Sequence, residues 1–447
     1  MSRAPHSTAR PRERVVVTGV LLPGQPIEHG GVLEEVRGLV VAAGGEAVGE
    51  GIVQRRERAH PATLMGSGKV EEVGELVTLH APDAVVVDND LGPAQVRNLE
   101  KAWNVRVVDR SELILDIFSR RAQTRQARLQ VELAQTEYLL PRLRRMWTHL
   151  ERQVGGIGTR GPGETQLETD RRLLQRRIRD LKQELNEIEE RKRRQVRARA
   201  DQFTVGLVGY TNAGKSTLLN RLTGADELSA DMLFATLDTR TRRWKLPDGR
   251  TVLLSDTVGF LQRLPHHLVA SFHATLEEAL NVDLLIHVVD SSHADAATQM
   301  AAVDEVLGSL SRGLRADLMV FNKVDRLEDR VELALLREGR DEEVVYLSAK
   351  SGEGLDALVG VLERNLDERS AHVRLVIPFA DGRTLASVRE LGLVLSEECE
   401  QERGTIVCAR IPEGALGNLR RRAGREVEIE VLQGAARPFL AGESLDG

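Results

Sequence analysis

Cysteine is nearly absent: Cys399 and Cys408 are the only two in 447 residues, too few for a disulfide framework or a cluster of metal-ligating thiols. Two thiols without such a pattern fit a reducing compartment. Long apolar runs are missing as well. No stretch reaches the roughly 20 residues that span a bilayer, and the first thirteen residues, rich in Arg, Pro and Ser, lack the apolar centre of a signal peptide. The expectation is a cytoplasmic protein with no membrane span. An overall basic balance is also lacking. The chain carries 62 Lys and Arg against 68 Asp and Glu, net -6, which argues against a general nucleic-acid binder.

The average hides an asymmetry. Residues 111 to 200 hold 21 Lys and Arg against 13 Asp and Glu, an excess of eight. Positive charge gathered in one segment points to a local polyanionic partner, RNA or DNA, with a solvated helix face as the plainer alternative. At one domain per 100 to 200 residues, roughly, the length suggests three folded domains.

Residues 1 to 13 read as a disordered tail. From 14 to 110, strand-like runs (Val15 to Leu22, Ala84 to Asp88, Val105 to Asp109) alternate with helical ones (Leu33 to Ala43, Ala94 to Trp103), the rhythm of a small parallel α/β domain. Within it Gly66-Ser-Gly-Lys69 imitates a phosphate loop. It lacks the upstream glycine and has Val70 where a hydroxyl should meet magnesium, so a turn opening a helix is the better reading.

Between 111 and 200, apolar positions at alternating threes and fours (Leu129, Leu133, Leu140, Leu143, then Leu174, Ile178, Leu181, Leu185, Ile188) predict an antiparallel helical hairpin, with Pro141 kinking its first arm. Its tip, Gln153 to Gly163, holds Gly155, Gly156, Gly158, Gly161 and Gly163 with one basic side chain, Arg160, and leads to Arg171 and Arg172. Glycine lets backbone approach a partner closely. These residues are the candidates for RNA contact, against the alternative of a long connector. Beyond 370 the order strand, helix, strand, strand, helix, strand predicts a ferredoxin-like α+β domain over 371 to 447.

The chemistry lies between 201 and 370. Strand Val205 to Val208 feeds Gly209-Tyr210-Thr211-Asn212-Ala213-Gly214-Lys215-Ser216, then Thr217: G-x-x-x-x-G-K-S in the strand-loop-helix setting that makes it a phosphate loop. Backbone N-H groups from Asn212 to Ser216 would line the phosphates. Lys215 would reach the β and γ oxygens, and Ser216 would ligate magnesium. Strand Val252 to Ser255 ends in Asp256-Thr257-Val258-Gly259, with Asp256 holding magnesium through water and the Gly259 amide sensing the γ-phosphate. In the loop Ala225 to Asp238, Thr236, with Phe234 beside it, is expected to close over the metal in the GTP state. Lys215, Thr236 and Gly259 are the catalytic candidates. Asn322-Lys323-Val-Asp325 selects guanine, because Asp325 can accept from both N1-H and the exocyclic amine, and Asn322 would support the loop while Lys323 covers the base. Ser348-Ala349-Lys350 would present a backbone amide, that of Ala349, to guanine O6. The reading is therefore α/β: a P-loop GTPase domain, preceded by a small α/β domain and a long antiparallel helical hairpin, followed by a small ferredoxin-like α+β domain.

The stretch Gly156-Ile-Gly-Thr-Arg-Gly-Pro-Gly-Glu-Thr-Gln-Leu-Glu-Thr-Asp-Arg171, ahead of a basic helix and then the phosphate loop, resembles the signature of the HflX family of translation-associated GTPases. The domain order is similar to that family over most of the chain. The resemblance implies GTP and GDP as ligands, magnesium as cofactor, and docking on the large (50S) ribosomal subunit, with the hairpin tip directed at ribosomal RNA near the peptidyl-transferase region. It also implies splitting or rescue of ribosomes under stress; the chain is expected to act as a monomer.

Two details bear on mechanism. Phe260 follows Gly259, where a water-orienting glutamine is expected, so intrinsic hydrolysis should be slow and stimulated by ribosomes. Gln262 and His266 lie nearby in sequence without a compelling claim to the role. Asn212 makes the loop Gly-x-x-Asn-x-Gly-Lys-Ser, which resembles that of potassium-stimulated GTPases and suggests a potassium ion beside the phosphates. Alternative readings are an RNA-binding chaperone, hibernation or subunit-maturation factor, and an ATP-dependent ribosomal-RNA remodeller working through the N-terminal domain.

Overall fold

The computed structural model describes residues 12–24, 31–143, 162–197, 202–224, 233–234, 240–257, 259–261, 263, 280, 282–310, 314–327, 329, 331–401, 403–424 and 426–434. Its contacts divide the chain into two units. One comprises Met1–Leu185, Asp231–Ala235 and Arg263–Ser271; the other comprises Asn186–Ala230, Thr236–Gln262 and Phe272–Gly447.

The first unit holds a parallel sheet, of β1 (Arg14–Leu21), β2 (Glu46–Ala47), β3 (Ile52–Arg55), β4 (Ala84–Val87) and β5 (Arg106–Asp109), with path β2-β1-β4-β5 and β3 also paired to β1. Helices α1 (Glu34–Ala42), α2 (Ser67–His80), α3 (Pro93–Trp103) and α4 (Arg110–Arg121) connect and follow the strands. Every residue of β4 is buried, as a parallel strand covered on both faces requires. Val16, Val85 and Val107 pack with Leu99 and Trp103. Gly66 is the residue before α2, so the Gly66 to Lys69 segment is a helix-opening turn.

The basic segment is more than a hairpin. Its first part, α4, buries Ile114, Ile117 and Phe118 and packs against α1 and β5, because Leu113 to Phe118 is too apolar to stand in solvent. Helix α5 (Arg125–Leu139) starts at Thr124, whose side chain accepts from the Ala127 amide at 3.1 Å. It gives way to a 3₁₀ turn, Leu140–Arg142, at Pro141. Helix α6 (Pro162–Arg197) follows. Ion pairs Glu132–Arg177 (2.7 Å) and Arg125–Glu184 (3.1 Å) set α5 and α6 antiparallel. Such exposed pairs contribute little; the buried Leu129, Leu133, Leu181 and Leu185 give the helices their common apolar seam. Gly163, expected in the tip loop, is already helical, since Pro162 occupies the first helical position that proline favours.

A buried charge network ties this unit together. Arg110 donates to Glu35 and Asp88, each at 2.5 Å. Burial by itself would favour losing the guanidinium proton, but the two carboxylates hold it on and raise the pKa. Arg263 joins the network through Asp88 at 2.5 Å.

In the second unit a six-stranded sheet comprises β6 (Thr204–Val208), β7 (Arg240–Lys245), β8 (Thr251–Asp256), β9 (Leu284–Asp290), β10 (Leu318–Asn322) and β11 (Glu343–Tyr346), in order β11-β10-β9-β6-β8-β7. All pairs are parallel except β7 with β8. Helices α7 (Lys215–Thr223), α8 (Ala296–Leu310), α9 (Val331–Arg337) and α10 (Leu355–Glu368) accompany it. β9 and β10 are buried along their whole length. The strand order reverses at β6, which has β9 on one side and β8 on the other. Open parallel sheets bind ligands at the carboxyl ends of strands beside such a reversal.

The rest is β12 (Ser370–Ile377), α11 (Gly382–Leu391), β13 (Leu393–Glu400), β14 (Gly404–Pro412), α12 (Glu413–Arg422) and β15 (Glu428–Gln433). The sheet order β13-β14-β12-β15, all antiparallel, is the ferredoxin-like arrangement expected. Asp367 bonds Arg250 at 2.7 Å and Arg410 at 2.6 Å, linking the two sheets' layers. Among the described residues, no helix is long and apolar enough to cross a membrane.

Candidate nucleotide site

The loop after β6 is shaped by residues that tolerate unusual backbone. Gly209 has φ +150, and a Cβ there would lie 2.2 Å from the Val288 carbonyl oxygen; Gly214 has φ +95, and its Cβ would lie 2.2 Å from Asn322 Nδ2. Only glycine fits either position. Asn212 itself takes φ +64, a left-handed conformation that asparagine accepts more readily than most residues.

Lys215, the first residue of α7, is buried, and its amine donates to the Gly209 and Tyr210 carbonyls at 3.0 and 2.8 Å. Burial is the main influence on its pKa, partly opposed by the Asp256 charge, and brings it down to about 8. The next residue, Ser216, donates to Asp256 Oδ2 at 2.6 Å. Asp256 ends β8, and Thr257 after it donates to the Leu207 carbonyl at 2.7 Å. A hydroxyl and a carboxylate brought together at the end of the loop are the hard oxygen donors that magnesium prefers.

Beyond Asp256, the chain turns back over the loop. The Thr211 amide donates to the Phe260 carbonyl at 2.8 Å and the Phe260 amide to the Gly209 carbonyl at 3.2 Å. The Phe260 ring is buried. A Cβ on Gly259 would lie 2.8 Å from Thr211 Cγ2 and 3.2 Å from Lys215 Nζ.

The guanine motif meets the loop through Asn322. Its Nδ2 donates to the Ala213 carbonyl at 2.8 Å, and its Oδ1 accepts the Ala349 amide at 2.9 Å. The amide that the sequence directs at guanine O6 is therefore given to Asn322 here. Lys323, at φ +65, donates to the Asn212 carbonyl at 2.8 Å and to Asp290 Oδ2 at 2.6 Å. Asp325 is exposed in the 3₁₀ turn Val324–Arg326. Ser348 is buried and caps its own turn, accepting the Ser351 amide at 3.1 Å, while Lys350 is exposed.

Lys215, Ser216, Asp256, Asn322 and Lys323 thus lie together at the carboxyl edge of the sheet. Thr236, Val258, Gln262 and His266 lie outside the described residues, as do Gly155, Gly156, Gly158, Arg160 and Gly161 of the tip. Arg171 and Arg172 are exposed on α6, the latter paired with Glu168 at 3.2 Å. Phe234, expected at the nucleotide, belongs to the first unit. It packs edge-on against Phe118 with centroids 4.6 Å apart, since a buried aromatic ring gains most from an apolar partner. Sequence reasoning missed Asp290. No motif marks it, and its only signal is its place at the end of an apolar strand followed by Ser291 and Ser292.

Three family profiles match the chain in order: "GTP-binding GTPase N-terminal" over residues 31–119, "GTP-binding GTPase Middle Region" over 121–199 and "50S ribosome-binding GTPase" over 204–323. The chain is 44% identical over 410 residues to the GTPase HflX of Lacrimispora saccharolytica, covering 91% of this chain and 95% of that protein. It is 45% identical over 386 residues to the GTPase HflX of Escherichia coli, with 85% and 89% covered. A crystal structure of a GTP-binding protein from the archaeon Sulfolobus solfataricus in complex with GDP covers 79% of this chain and 98% of its own, at 22% identity and a TM-score of 0.41.

Proposed function

Because the chain belongs to the HflX family of GTPases, we propose that it is a GTP-driven switch that binds the large ribosomal subunit in the cytoplasm, as a monomer, and splits or rescues ribosomes under stress. The observation that carries this reading is the meeting of the phosphate loop and the guanine motif through Asn322, which holds Ala213 and Ala349 at once. The likeness of residues 204–323 to 50S ribosome-binding GTPases and the basic α6 support the ribosomal partner.

In this reading, residues Gly209 to Thr217 hold the phosphates. Lys215 meets the β and γ oxygens, and Ser216, Thr236 and, through water, Asp256 would hold magnesium. The ion would neutralise charge that develops on the transferring phosphoryl. Gly259 reports the γ-phosphate, flanked by Thr257 and Val258. Asp325 reads the guanine edge between Asn322, Lys323 and the Ser348 to Lys350 turn, and Asn212 would hold potassium beside the phosphates. Arg171, Arg172 and the glycine tip face ribosomal RNA through salt-sensitive phosphate contacts. The working division is a tail to residue 13, an α/β domain to 110, the basic arm to 200, the GTPase domain to 370 and the α+β domain beyond. A phenyl ring at position 260 cannot orient water by hydrogen bonding, so basal turnover is slow and ribosomes accelerate it.

GTP turnover measured with and without purified large subunits, beside sedimentation of intact ribosomes with GTP, GDP or a non-hydrolysable analogue, tests the reading. Stimulated turnover, with ribosomes converted to subunits by the analogue, is expected. Stimulation without splitting would leave rescue or maturation, and neither stimulation nor binding would remove the ribosome from the proposal.

A further inference from the structure

The hydroxyl of Thr211 is buried and, among the described residues, has no hydrogen-bond partner; the residue as a whole is 6% exposed. Buried polar groups are nearly always satisfied, and one that is not calls for a reason. Valine has almost the same shape and would avoid the desolvation cost. The neighbours of Thr211 place the residue, whose methyl carbon and Cα are the atoms nearest Gly259. Its Cγ2 and Cα lie 2.8 and 2.9 Å from the point where a Cβ on Gly259 would sit, and Lys215 Nζ lies 3.2 Å from that same point. Thr211 therefore stands where the phosphate lysine and the γ-phosphate-sensing glycine converge, beside Phe260, to whose carbonyl its amide is bonded.

We propose that Thr211 Oγ1 is a catalytic group of GTP hydrolysis, taking over the water-orienting task for which Phe260 has no hydrogen-bonding side chain. The inference rests on the GTPase reading of the site. Thr211 Oγ1 accepts a hydrogen bond from the attacking water and donates its own proton in a hydrogen bond to a γ-phosphoryl oxygen, which a hydroxyl can do at once. The water oxygen forms the new bond to phosphorus, and the bond from phosphorus to the β,γ-bridging oxygen breaks with its electron pair passing to GDP. One water proton stays on the new oxygen and the other passes to a phosphoryl oxygen. Thr211 ends as it began.

The test is single-turnover GTP hydrolysis, GTP affinity and thermal melting of the full chain as wild type, Thr211→Val, Thr211→Ser and Thr211→Ala. For Thr211→Val the hydrolysis rate constant should fall about 100-fold, as when a positioned hydrogen bond to the transition state is lost. GTP affinity should change less than about threefold and Tm should stay or rise, because among the described residues the lost hydroxyl has no structural partner. Serine keeps the oxygen and should restore the rate to within about threefold. Alanine repeats the loss should valine fail to fold. Hydrolysis by the valine and alanine variants at the wild-type rate overturns the proposal. So does a loss of rate that tracks lowered affinity or Tm, which would make Thr211 a packing residue. Wild type that turns over no GTP would instead overturn the GTPase reading, a separate outcome.

Discussion

Asp290 Oδ2 receives the Lys323 ammonium at 2.6 Å, while its Oδ1 takes the Ser292 hydroxyl at 2.6 Å and the Ser292 amide at 3.1 Å. The carboxylate, largely buried at the end of β9, thus holds the guanine-motif lysine against the Asn212 carbonyl of the phosphate loop. Removing its charge should loosen that lysine for GTP and GDP alike. A charged hydrogen bond of this kind contributes about 1.5 kcal/mol, or roughly tenfold in affinity. Displacement of a fluorescent GDP from Asp290→Asn should show that loss for both nucleotides. In a Lys323→Met background the same change should cost almost nothing; additive losses would mean the two residues act independently.

The contact between Ser216 and Asp256 makes a second prediction. If the pair holds magnesium, Ser216→Ala should shift the free-magnesium concentration needed for hydrolysis upward and lower kcat/KM on the order of 100-fold, while leaving Tm within about 1 °C. A magnesium titration identical to wild type would remove Ser216 from the metal site.

The phosphate loop was legible because its spacing encodes backbone geometry: Gly209 and Gly214 stand where a Cβ would strike Val288 or Asn322, and those two constraints leave few other sequences. The ferredoxin-like order could be read for a similar reason, since alternation of buried residues along β12 and β14 is written in the chain itself. Partnerships set by tertiary structure were not. Nothing local pairs Asp290 with Lys323 across 33 positions, directs the Ala349 amide to Asn322, or turns Phe234 toward Phe118. The packing of α4 against α1 and β5 was hidden because the basic residues around it made the whole segment read as one arm.

Lys215 sets a pH dependence for nucleotide binding. Its pKa is lowered to about 8 chiefly by burial, and bound phosphates favour the charged amine. Below pH 8 the ammonium is present before binding; above it, binding must take up a proton. Affinity for GTP should therefore be flat below pH 8 and fall up to about tenfold per unit above it. Calorimetry in buffers of different ionisation enthalpy should register proton uptake at pH 9 that Lys215→Arg lacks, since arginine remains charged there. Equal proton uptake by the two proteins would place the titrating group elsewhere.

His287 should make the fold lose stability toward acid pH. It lies in β9, almost wholly buried, and burial first, then the charges of Arg340 and Lys215, lower its pKa to about 3. The folded chain keeps it neutral while the unfolded chain protonates it near pH 6.5. The unfolded state thus binds the extra proton, so stability is fully present above pH 6.5 and declines as pH falls toward 3. One group with this shift removes about 1.4 kcal/mol per pH unit within that window, or roughly 2 kcal/mol by pH 5. Replacing His287 by leucine takes away the proton acceptor without emptying the core. Urea melts of His287→Leu should therefore lose less stability than wild type between pH 7 and pH 5, whatever the variant's stability at pH 7. Parallel stability curves for the two proteins would show that the imidazole does not cause that loss.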